Sequence, residues 1–432
     1  MRVSHPPINR VKGFFLMSQP NRRRGGNRHS TTSSAPRRRP SNNNNRRPQQ
    51  KRGPKKDYIH PSKFVASARA VETKDYEPQN LFSDFGFASL INKNLERMGV
   101  TKPTPIQDKM IFHAMAGESV VGIADTGTGK TMAFALPVLH KLLTDRHSSV
   151  LILAPTRDLA LQVMDECRKI IDGSRINRAM LIGGAPMHRQ VRDLARRPQL
   201  VVGTPGRTKD HIQRGTIKLS GFNTVVLDEV DRMLDMGFVH DVREIISQLA
   251  GGSVQSYFFS ATIEDRVRSI IQELSRDAIS IETKNAETSE NVEQDIVHYD
   301  DDDHKLDRLH EILSSPSTKK TIIFDDTRRQ VEKLSKSLEQ RGHNVQAIHG
   351  GKSQGQRKRA LEGMKRDSIK VLVATDVAAR GIDINDISHV INYNTPQTYD
   401  DYVHRIGRAG RANKQGFALT FIAGDRRDQN RF

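Results

Sequence analysis

The chain has 432 residues, with 69 Lys and Arg against 50 Asp and Glu, and a net charge of +19. This length exceeds one ordinary domain and predicts two or three. A single cysteine, Cys167, excludes an internal disulfide framework and a cysteine-rich zinc site. Since no apolar run approaches the roughly 18 residues of a membrane span, we expect a soluble, cytoplasmic protein without a membrane partner.

The positive charge is concentrated at the N-terminus. Residues 1–56 contain 16 Lys and Arg and no Asp or Glu. Their Arg-, Asn-, Ser- and Pro-rich composition cannot bury enough apolar surface to offset the entropy of ordering. We predict a disordered basic tail over 1–56 and an N-terminal extension over 57–80. The tail fits an electrostatic arm for nucleic acid, but it also fits a solubilising tail or a nuclear-import signal.

From Leu81 onward, short apolar runs alternate with segments of helical period. This alternation predicts an α/β domain over 81–283, with a parallel sheet flanked by helices. The predicted strands are Val120–Ala124, Val150–Ala154, Leu200–Gly203, Thr224–Asp228 and Tyr257–Ser260. Leu159–Ile171 and Val239–Leu249 are predicted helices between them.

The polar, aperiodic stretch Lys284–Val292 predicts an interdomain linker. A second α/β series follows, which we assign to a domain over 293–425, with a short tail at 426–432. Its predicted strands are Thr321–Phe324, Val345–Ile348, Lys370–Ala374, Val390–Tyr393 and Phe417–Ile422. The Asp triplet at 301–303 is more typical of a turn that caps the next helix than of a metal site.

The segment Ala124–Thr131 (ADTGTGKT) has the features of a phosphate-binding loop. It follows a predicted strand and precedes a helical pattern, as a P-loop requires. Gly127 and Gly129 let the backbone approach phosphates, Lys130 can reach the β- and γ-phosphates, and the Thr131 hydroxyl can bind Mg²⁺. The general pattern has Gly where Ala124 stands, so a chance glycine-rich turn is the alternative.

Two carboxylates end a predicted strand further along the chain. Val225–Glu229 reads VVLDE. An Asp at the end of a strand beside a P-loop can hold Mg²⁺ through water, and its neighbour can orient the attacking water. Acidic pairs are common, so the predicted roles of Asp228 and Glu229 rest on their position directly after a predicted buried strand.

At this point the chain resembles the DEAD-box RNA helicases of superfamily two, from Phe82 to about Ile422. ADTGTGKT is the family's own P-loop, with Ala first, and Asp228–Asp231 reads DEVD where the family has DEAD. The other first-domain motifs occur in family order: Phe82, Gly99 and Pro103–Gln107 (adenine recognition), Pro155–Ala160, Gly183–Gly184 and Thr204–Arg207 (RNA contact), and Ser260–Thr262 (coupling).

The second domain carries the remaining motifs. They are Ile323–Thr327, Gln354 with Arg357, Ala374–Asp383, and His404–Arg411. Three residues depart from the family pattern: Val230 replaces Ala, Ala409 replaces Thr, and Gly351 replaces Asp. None of these changes removes a group that the chemistry needs, and we expect Val230 to pack beneath the carboxylates.

The resemblance implies two tandem RecA-like domains with ATP and Mg²⁺ in the cleft between them. The implied ATP-binding residues are Phe82, Gln107, Thr126, Gly127, Thr128, Gly129, Lys130, Thr131 and Asp383. The implied catalytic residues are Glu229, Lys130, and Arg408 and Arg411 as arginine fingers. Thr131 and Asp228 would hold Mg²⁺, partly through water. Asp231, Ser260 and Thr262 would couple the nucleotide to the RNA side.

The resemblance also implies an RNA surface on both domains. Its expected residues are Pro155, Thr156, Arg157, Gly184, Thr204, Arg207, Thr327, Arg357 and Thr375. The implied activity is an ATP-dependent RNA helicase, a monomer that binds RNA with little sequence specificity, remodels short duplexes and meets ribonucleoprotein complexes. One alternative is an ATP-gated RNA clamp with little turnover. Another is a DNA helicase of the same superfamily.

Overall fold

The computed structural model describes residues 59–68, 76–124, 127–249, 254–283, 291–379, 384, 386–410 and 415–424. All of these residues belong to one compact unit within the range 56–432. The predicted basic tail and the predicted short C-terminal tail lie outside the described residues, as do positions 284–290 of the predicted linker.

The first domain is built on a parallel sheet whose seven described strands lie in the order β3-β4-β2-β5-β6-β1-β7. The strands are β1 Val120–Ile123, β2 Val150–Leu153, β3 Arg178–Leu181, β4 Leu200–Gly203, β5 Thr224–Leu227, β6 Gln255–Ser260 and β7 Ile279–Glu282. All five predicted strands are present. The two that were not predicted, β3 and β7, are the edge strands.

Helices cover both faces of this sheet and bury two apolar clusters against it. They are α1 Ser89–Arg97, α2 Pro105–Met115, α3 Lys130–Thr144, α4 Arg157–Ile170, α5 Met187–Leu194, α6 Pro205–Gln213, α7 Val230–Asp235, α8 Val239–Ser247 and α9 Asp265–Leu274. The predicted helices correspond to α4 and α8. Cys167 lies fully buried on α4, and burial raises the pKa of its thiol to about 12.

The second domain has a parallel sheet of six described strands in the order β10-β11-β9-β12-β13-β8. They are β8 Val292–Tyr299, β9 Lys320–Phe324, β10 Val345–Ile348, β11 Val371–Ala374, β12 Ile387–Asn392 and β13 Gly416–Ala423. The edge strand β8 was not predicted, and it begins at Val292, which was placed in the linker. The tandem RecA-like architecture expected from the sequence is confirmed.

Five described helices flank the second sheet: α10 Asp302–Ser314, α11 Arg328–Gln340, α12 Gln354–Lys365, α13 Asp376–Ala379 and α14 Tyr399–Ile406. The Asp triplet has the predicted capping role, because the Asp301 carboxylate accepts a hydrogen bond from the His304 amide at 2.8 Å. None of the helices within the described ranges is both long and apolar enough to span a membrane.

Candidate active site and nucleic-acid interface

The P-loop connects the carboxyl end of β1 to α3, which begins at Lys130. Gly127 and Gly129 have φ angles of 87° and 90°, in the left-handed region that favours glycine. A Cβ on Gly129 would lie 2.8 Å from Thr104 Oγ1. Lys130 is 7 % exposed, and its Nζ donates to the Ala124 carbonyl at 2.8 Å. A helix N-terminus with a buried lysine is a ready-made anion site.

Gln107 joins the first turn of α2 to the P-loop. Its Nε2 donates to the Gly129 carbonyl at 2.9 Å, and its Oε1 accepts from the Thr104 amide at 2.9 Å. Phe82 is buried, with its ring centroid 6.2 Å from that of Phe85. The structure therefore places Gln107 against the P-loop, while adenine recognition by Gln107 and Phe82 stays a prediction.

Asp228 and Glu229 follow β5 and are both buried. Glu229 has a φ of 53°, a conformation that costs a non-glycine residue roughly 1–3 kcal/mol and that clusters at functional sites. Its Oε2 accepts from Arg232 Nη1 at 2.9 Å, and both of these side chains are buried. The backbone strain and the buried ion pair fix the carboxylate at the end of the strand.

The Asp228 carboxylate fits the predicted Mg²⁺ role, while Thr131 lies in the first turn of α3 beside Lys130 and its role stays a prediction. Asp228 Oδ1 is buried, and no donor among the described residues hydrogen-bonds it. Burial, with the charge of Glu229 second, raises the pKa of Asp228 to about 7, and the charge of Lys130 opposes this. A buried oxygen without a donor, in a place where negative charge is disfavoured, suits a divalent cation.

Asp231 connects the DEVD segment to Ser260–Thr262. Its Oδ2 accepts from the amides of Ala261 and Thr262 at 2.8 and 3.2 Å. Burial alone would raise the pKa of Asp231, but hydrogen bonds from backbone amides and the charge of Lys130 together lower it. The Ser260 hydroxyl donates to the Thr262 carbonyl at 2.6 Å. The three predicted coupling residues therefore form one hydrogen-bonded group.

This coupling group borders a cavity of about 370 Å³ between the two domains. Asp231 and Thr262 line the cavity from the first domain. Thr398, Asp401 and His404 of α14 and its N-cap line it from the second domain. The cavity therefore places the coupling residues of the first domain opposite α14 of the second domain.

A second groove, of about 450 Å³, is also lined by both domains. Its walls include six predicted RNA contacts: Pro155, Thr156, Arg157, Thr204, Arg207 and Arg357. The other three predicted contacts are not among its lining residues. Gly184 (φ 78°) lies against the Arg157 guanidinium, Thr327 caps α11, and Thr375 is half-buried before α13.

Asp158 joins the two domains beside this groove. Gln354 Nε2 donates to Asp158 Oδ1 at 2.8 Å, and Arg357 forms an ion pair with Asp158. Arg357 also donates to the Ala378 carbonyl at 3.1 Å. Two further cations line the groove, Arg328 and Lys352, and neither was predicted from the sequence. Their positions directly after Thr327 and Gly351 were the available signal.

Comparison with known proteins decides the family. The DEAD/DEAH box helicase model matches residues 104–270, and the helicase conserved C-terminal domain model matches residues 304–413. The chain is 44 % identical over 346 residues to the ATP-dependent RNA helicase CshA of Listeria monocytogenes. This chain belongs to the DEAD-box family. The match covers 79 % of this chain and 66 % of CshA, so the chain spans just under two thirds of that relative.

Two solved structures are similar to about four fifths of this chain. Dbp5 of S. cerevisiae, bound to RNA and ADP BeF3, is 28 % identical with a TM-score of 0.69; the match covers 80 % of this chain and 90 % of Dbp5. Mss116p bound to ssRNA and AMP-PNP is 28 % identical with a TM-score of 0.71, covering 80 % of this chain and 74 % of the other. Both support the tandem arrangement of the two domains.

The second-domain motif His404–Arg411 contains a buried arginine, Arg405, for which no role was predicted from the sequence. Arg405 pairs with both carboxylate oxygens of Asp376 at 2.6 Å. Its Nη1 donates to Asn392 Oδ1 and to the Asn394 carbonyl, and its guanidinium lies 5.0 Å from the Phe324 ring centroid. Arg408 follows two residues after α14 and is 4 % exposed. Arg411, Asp383 and Thr126 lie outside the described residues.

Replacing Arg405 with alanine is expected to lower the free energy of unfolding of the second domain by about 3 kcal/mol, the lower end of the range for breaking a buried pair. Arg405 is buried but the Asp376 side chain is 26 % exposed, so water would partly compensate the carboxylate left behind, while the hydrogen bonds to Asn392 and Asn394 would be lost. Urea denaturation of the full chain measures this change. Arg366→Ala, at the exposed end of α12, is the control and should stay within about 0.5 kcal/mol of wild type. Equal midpoints for the two variants would contradict a structural role for Arg405.

Proposed function

We propose that this DEAD-box protein is an ATP-dependent RNA helicase that binds RNA with little sequence specificity and locally opens short duplexes. The observation that carries the proposal is the groove lined by both domains, with Arg157 and Arg207 on one side and Arg328 and Arg357 on the other. A strand held there would bridge the two domains, so its binding would favour the closed arrangement.

ATP hydrolysis would use the strand-end groups of the first domain. Lys130 and the amides of the P-loop would hold the phosphates, and Glu229 would orient the attacking water. Mg²⁺ held by Thr131 and Asp228 would offset the negative charge of the phosphates. Arg408 and Arg411 would add positive charge from the second domain. Hydrolysis would therefore require both domains to be in place.

Release of the strand would follow from the contacts of Asp231. This carboxylate touches the backbone of Ala261 and Thr262 and borders the cavity that α14 also lines. A change at the phosphates would thus reach the second domain by a short path. Because the groove offers charged groups and backbone suited to phosphates and sugars, it would carry little base information.

The proposal extends to ligands and setting. It includes ATP in preference to GTP, Mg²⁺ as the metal, and RNA in ribonucleoprotein complexes as the target of a cytoplasmic monomer. CshA is named as an ATP-dependent RNA helicase, and the Dbp5 and Mss116p structures hold RNA together with a nucleotide analogue. These relatives support the proposal for ATP and RNA.

Steady-state ATPase assays of the full chain, with no polymer, single-stranded RNA or single-stranded DNA, test the proposal. We expect RNA to stimulate hydrolysis at least tenfold more than DNA. A tenfold preference for DNA would instead indicate a DNA helicase. No stimulation by either polymer, together with an ATP-dependent rise in RNA affinity, would indicate an RNA clamp. Displacement of a short RNA duplex, with a long duplex as control, then tests local unwinding.

A further inference from the structure

The N-terminal extension includes a segment that docks on the second domain, although the first domain follows it in sequence. We call residues 59–68 the strap. A short 3₁₀ turn at Pro61–Phe64 turns the Phe64 side chain into the apolar cluster that contains Tyr402, Ile406 and Ala409. Phe64 is only 1 % exposed, and its ring meets the Tyr402 ring edge-on at 4.8 Å. The strap therefore completes the core of a domain that begins more than two hundred residues later.

Backbone pairing fixes the strap along the edge strand β8. Ala66 and Gln294 exchange two backbone hydrogen bonds, of 3.1 and 2.8 Å. The amide of Ala68 donates to Glu293 Oε2 at 2.9 Å. Gln294 also accepts a hydrogen bond from the Tyr402 hydroxyl at 2.9 Å. The strap and α14 are thus linked twice, through Phe64 on Tyr402 and through the shared Gln294.

The helix that the strap supports leads to the predicted arginine finger. α14 presents Tyr402 and Ile406 to Phe64 and places Arg405 on Asp376. Arg408 comes two residues after the end of α14. Protein interiors are close-packed and transmit strain. A void beneath one face of a short helix is therefore expected to shift the residues at the end of that helix. Phe64 packs in the same buried cluster as Tyr402 and Ile406 of α14, so its removal would leave a void against this helix.

Residues shortly after the strap contact the nucleotide half of the first domain. The Tyr76 hydroxyl and the Gln79 amide donate to Asp108 Oδ2 at 2.6 and 2.7 Å, and Asn80 donates to Oδ1. Asp108 is the neighbour of Gln107, which holds the P-loop. The described parts of the extension, residues 59–68 and 76–80, therefore contact the second domain at α14 and the first domain beside the P-loop.

We infer that the strap positions α14 for catalysis, with Phe64 as a positioning residue that acts through Arg408. This inference rests on the proposed ATP hydrolysis. A finger charge acts mainly in the transition state, so a displaced Arg408 lowers kcat and leaves the KM for ATP nearly unchanged. The strap thereby makes a segment outside the family motifs part of the catalytic arrangement.

Phe64→Ala in the full chain tests the inference, with Val65→Ala as the matched control because Val65 is 53 % exposed on the same strap. At saturating RNA and well below the melting temperature, Phe64→Ala should lower kcat at least tenfold and change KM less than twofold. Phe64→Leu should recover kcat to within threefold of wild type. A folded Phe64→Ala variant with kcat within twofold of wild type would overturn the inference.

Two further measurements separate positioning from general loss of stability. In the Arg408→Ala background, single-turnover hydrolysis should show no further loss from Phe64→Ala, because both changes would remove the same contribution. If Phe64→Ala slowed hydrolysis as much in the Arg408→Ala background as in the wild type, the route through Arg408 would be overturned.

Amide exchange over 399–406 should be at least tenfold faster in Phe64→Ala than in wild type, and unchanged exchange would also overturn the inference. If the wild type lacked RNA-stimulated ATPase, the proposed function would fail, and the exchange result would still decide whether the strap holds α14.

Discussion

Replacing Glu229 with glutamine is expected to reduce RNA-stimulated ATP hydrolysis by about 10²–10⁴-fold, the usual contribution of a positioned acid–base group. Glutamine keeps the size of the side chain and an oxygen that can accept from Arg232, so the local backbone at φ 53° should persist. It removes the negative charge that, in the proposed mechanism, would orient and polarise the attacking water. The measurement is kcat at saturating ATP and RNA.

The same variant should retain ATP-dependent RNA binding, because the groove residues and Lys130 are untouched. Fluorescence anisotropy with a short single strand, with and without ATP, checks this part. Glu96→Gln, an exposed site on α1, is the control and should leave both readings unchanged. Hydrolysis by Glu229→Gln within tenfold of wild type would remove Glu229 from the catalytic role.

The central part of each sheet could be predicted because its strands are buried on both faces and read as continuous apolar runs. Strand β2 is VLIL and β5 is TVVL, and all their residues are buried. The three edge strands that were not predicted, β3, β7 and β8, read RAML, ISIE and VEQDIVHY, and at least half of the residues in each are exposed or half-buried. Such mixed patterns do not separate an edge strand from a loop.

The candidate site could be located from local motifs, but the partners of its residues could not. The spacing of Lys130, Asp228 and Glu229 indicated a phosphate site. No local pattern revealed that Gln107 would donate to Gly129, or that Asp158 would receive Gln354 and Arg357 from the other domain. These contacts depend on chain segments that are distant in sequence.

The strap illustrates the same limit more strongly. Residues 57–80 were predicted only as an N-terminal extension, with no element assigned within them. The burial of Phe64 depends on the edge of β8 and on Tyr402, both of which lie more than two hundred residues away. The hydrophobic period and the composition of a segment indicate its local preference for helix, strand or loop. The burial of Phe64 depends instead on tertiary packing against distant segments.

The motif His404–Arg411 contains several arginines, and sequence alone does not distinguish a structural arginine from a catalytic one. In the structure Arg405 is committed to Asp376, Asn392 and Asn394. Arg408 lies two residues beyond the end of α14, and α14 also lines the interdomain cavity. Although the two residues are only three positions apart, we assign Arg405 a structural role and propose Arg408 as the arginine finger.

Replacing Arg408 with alanine is therefore expected to slow RNA-stimulated hydrolysis by about 10³-fold or more, since an arginine finger contributes about 10³–10⁵ in rate. The KM for ATP should change only a few fold, because the guanidinium acts mainly on charge that develops in the transition state. Single-turnover hydrolysis at saturating RNA measures the effect. Arg408→Lys should recover little of the rate, because an ammonium lacks the planar fork of a guanidinium.

Arg366→Ala is again the control, and it should leave the rate of hydrolysis unchanged. The comparison with Arg405→Ala then distinguishes the two roles. If Arg405 is structural and Arg408 is a finger, the first substitution lowers the denaturation midpoint strongly, and the second lowers the rate while it shifts the midpoint much less. An Arg408→Ala variant that hydrolyses ATP within tenfold of wild type would mean that charge from elsewhere stabilises the transition state. The strap and α14 would then have no catalytic group to position.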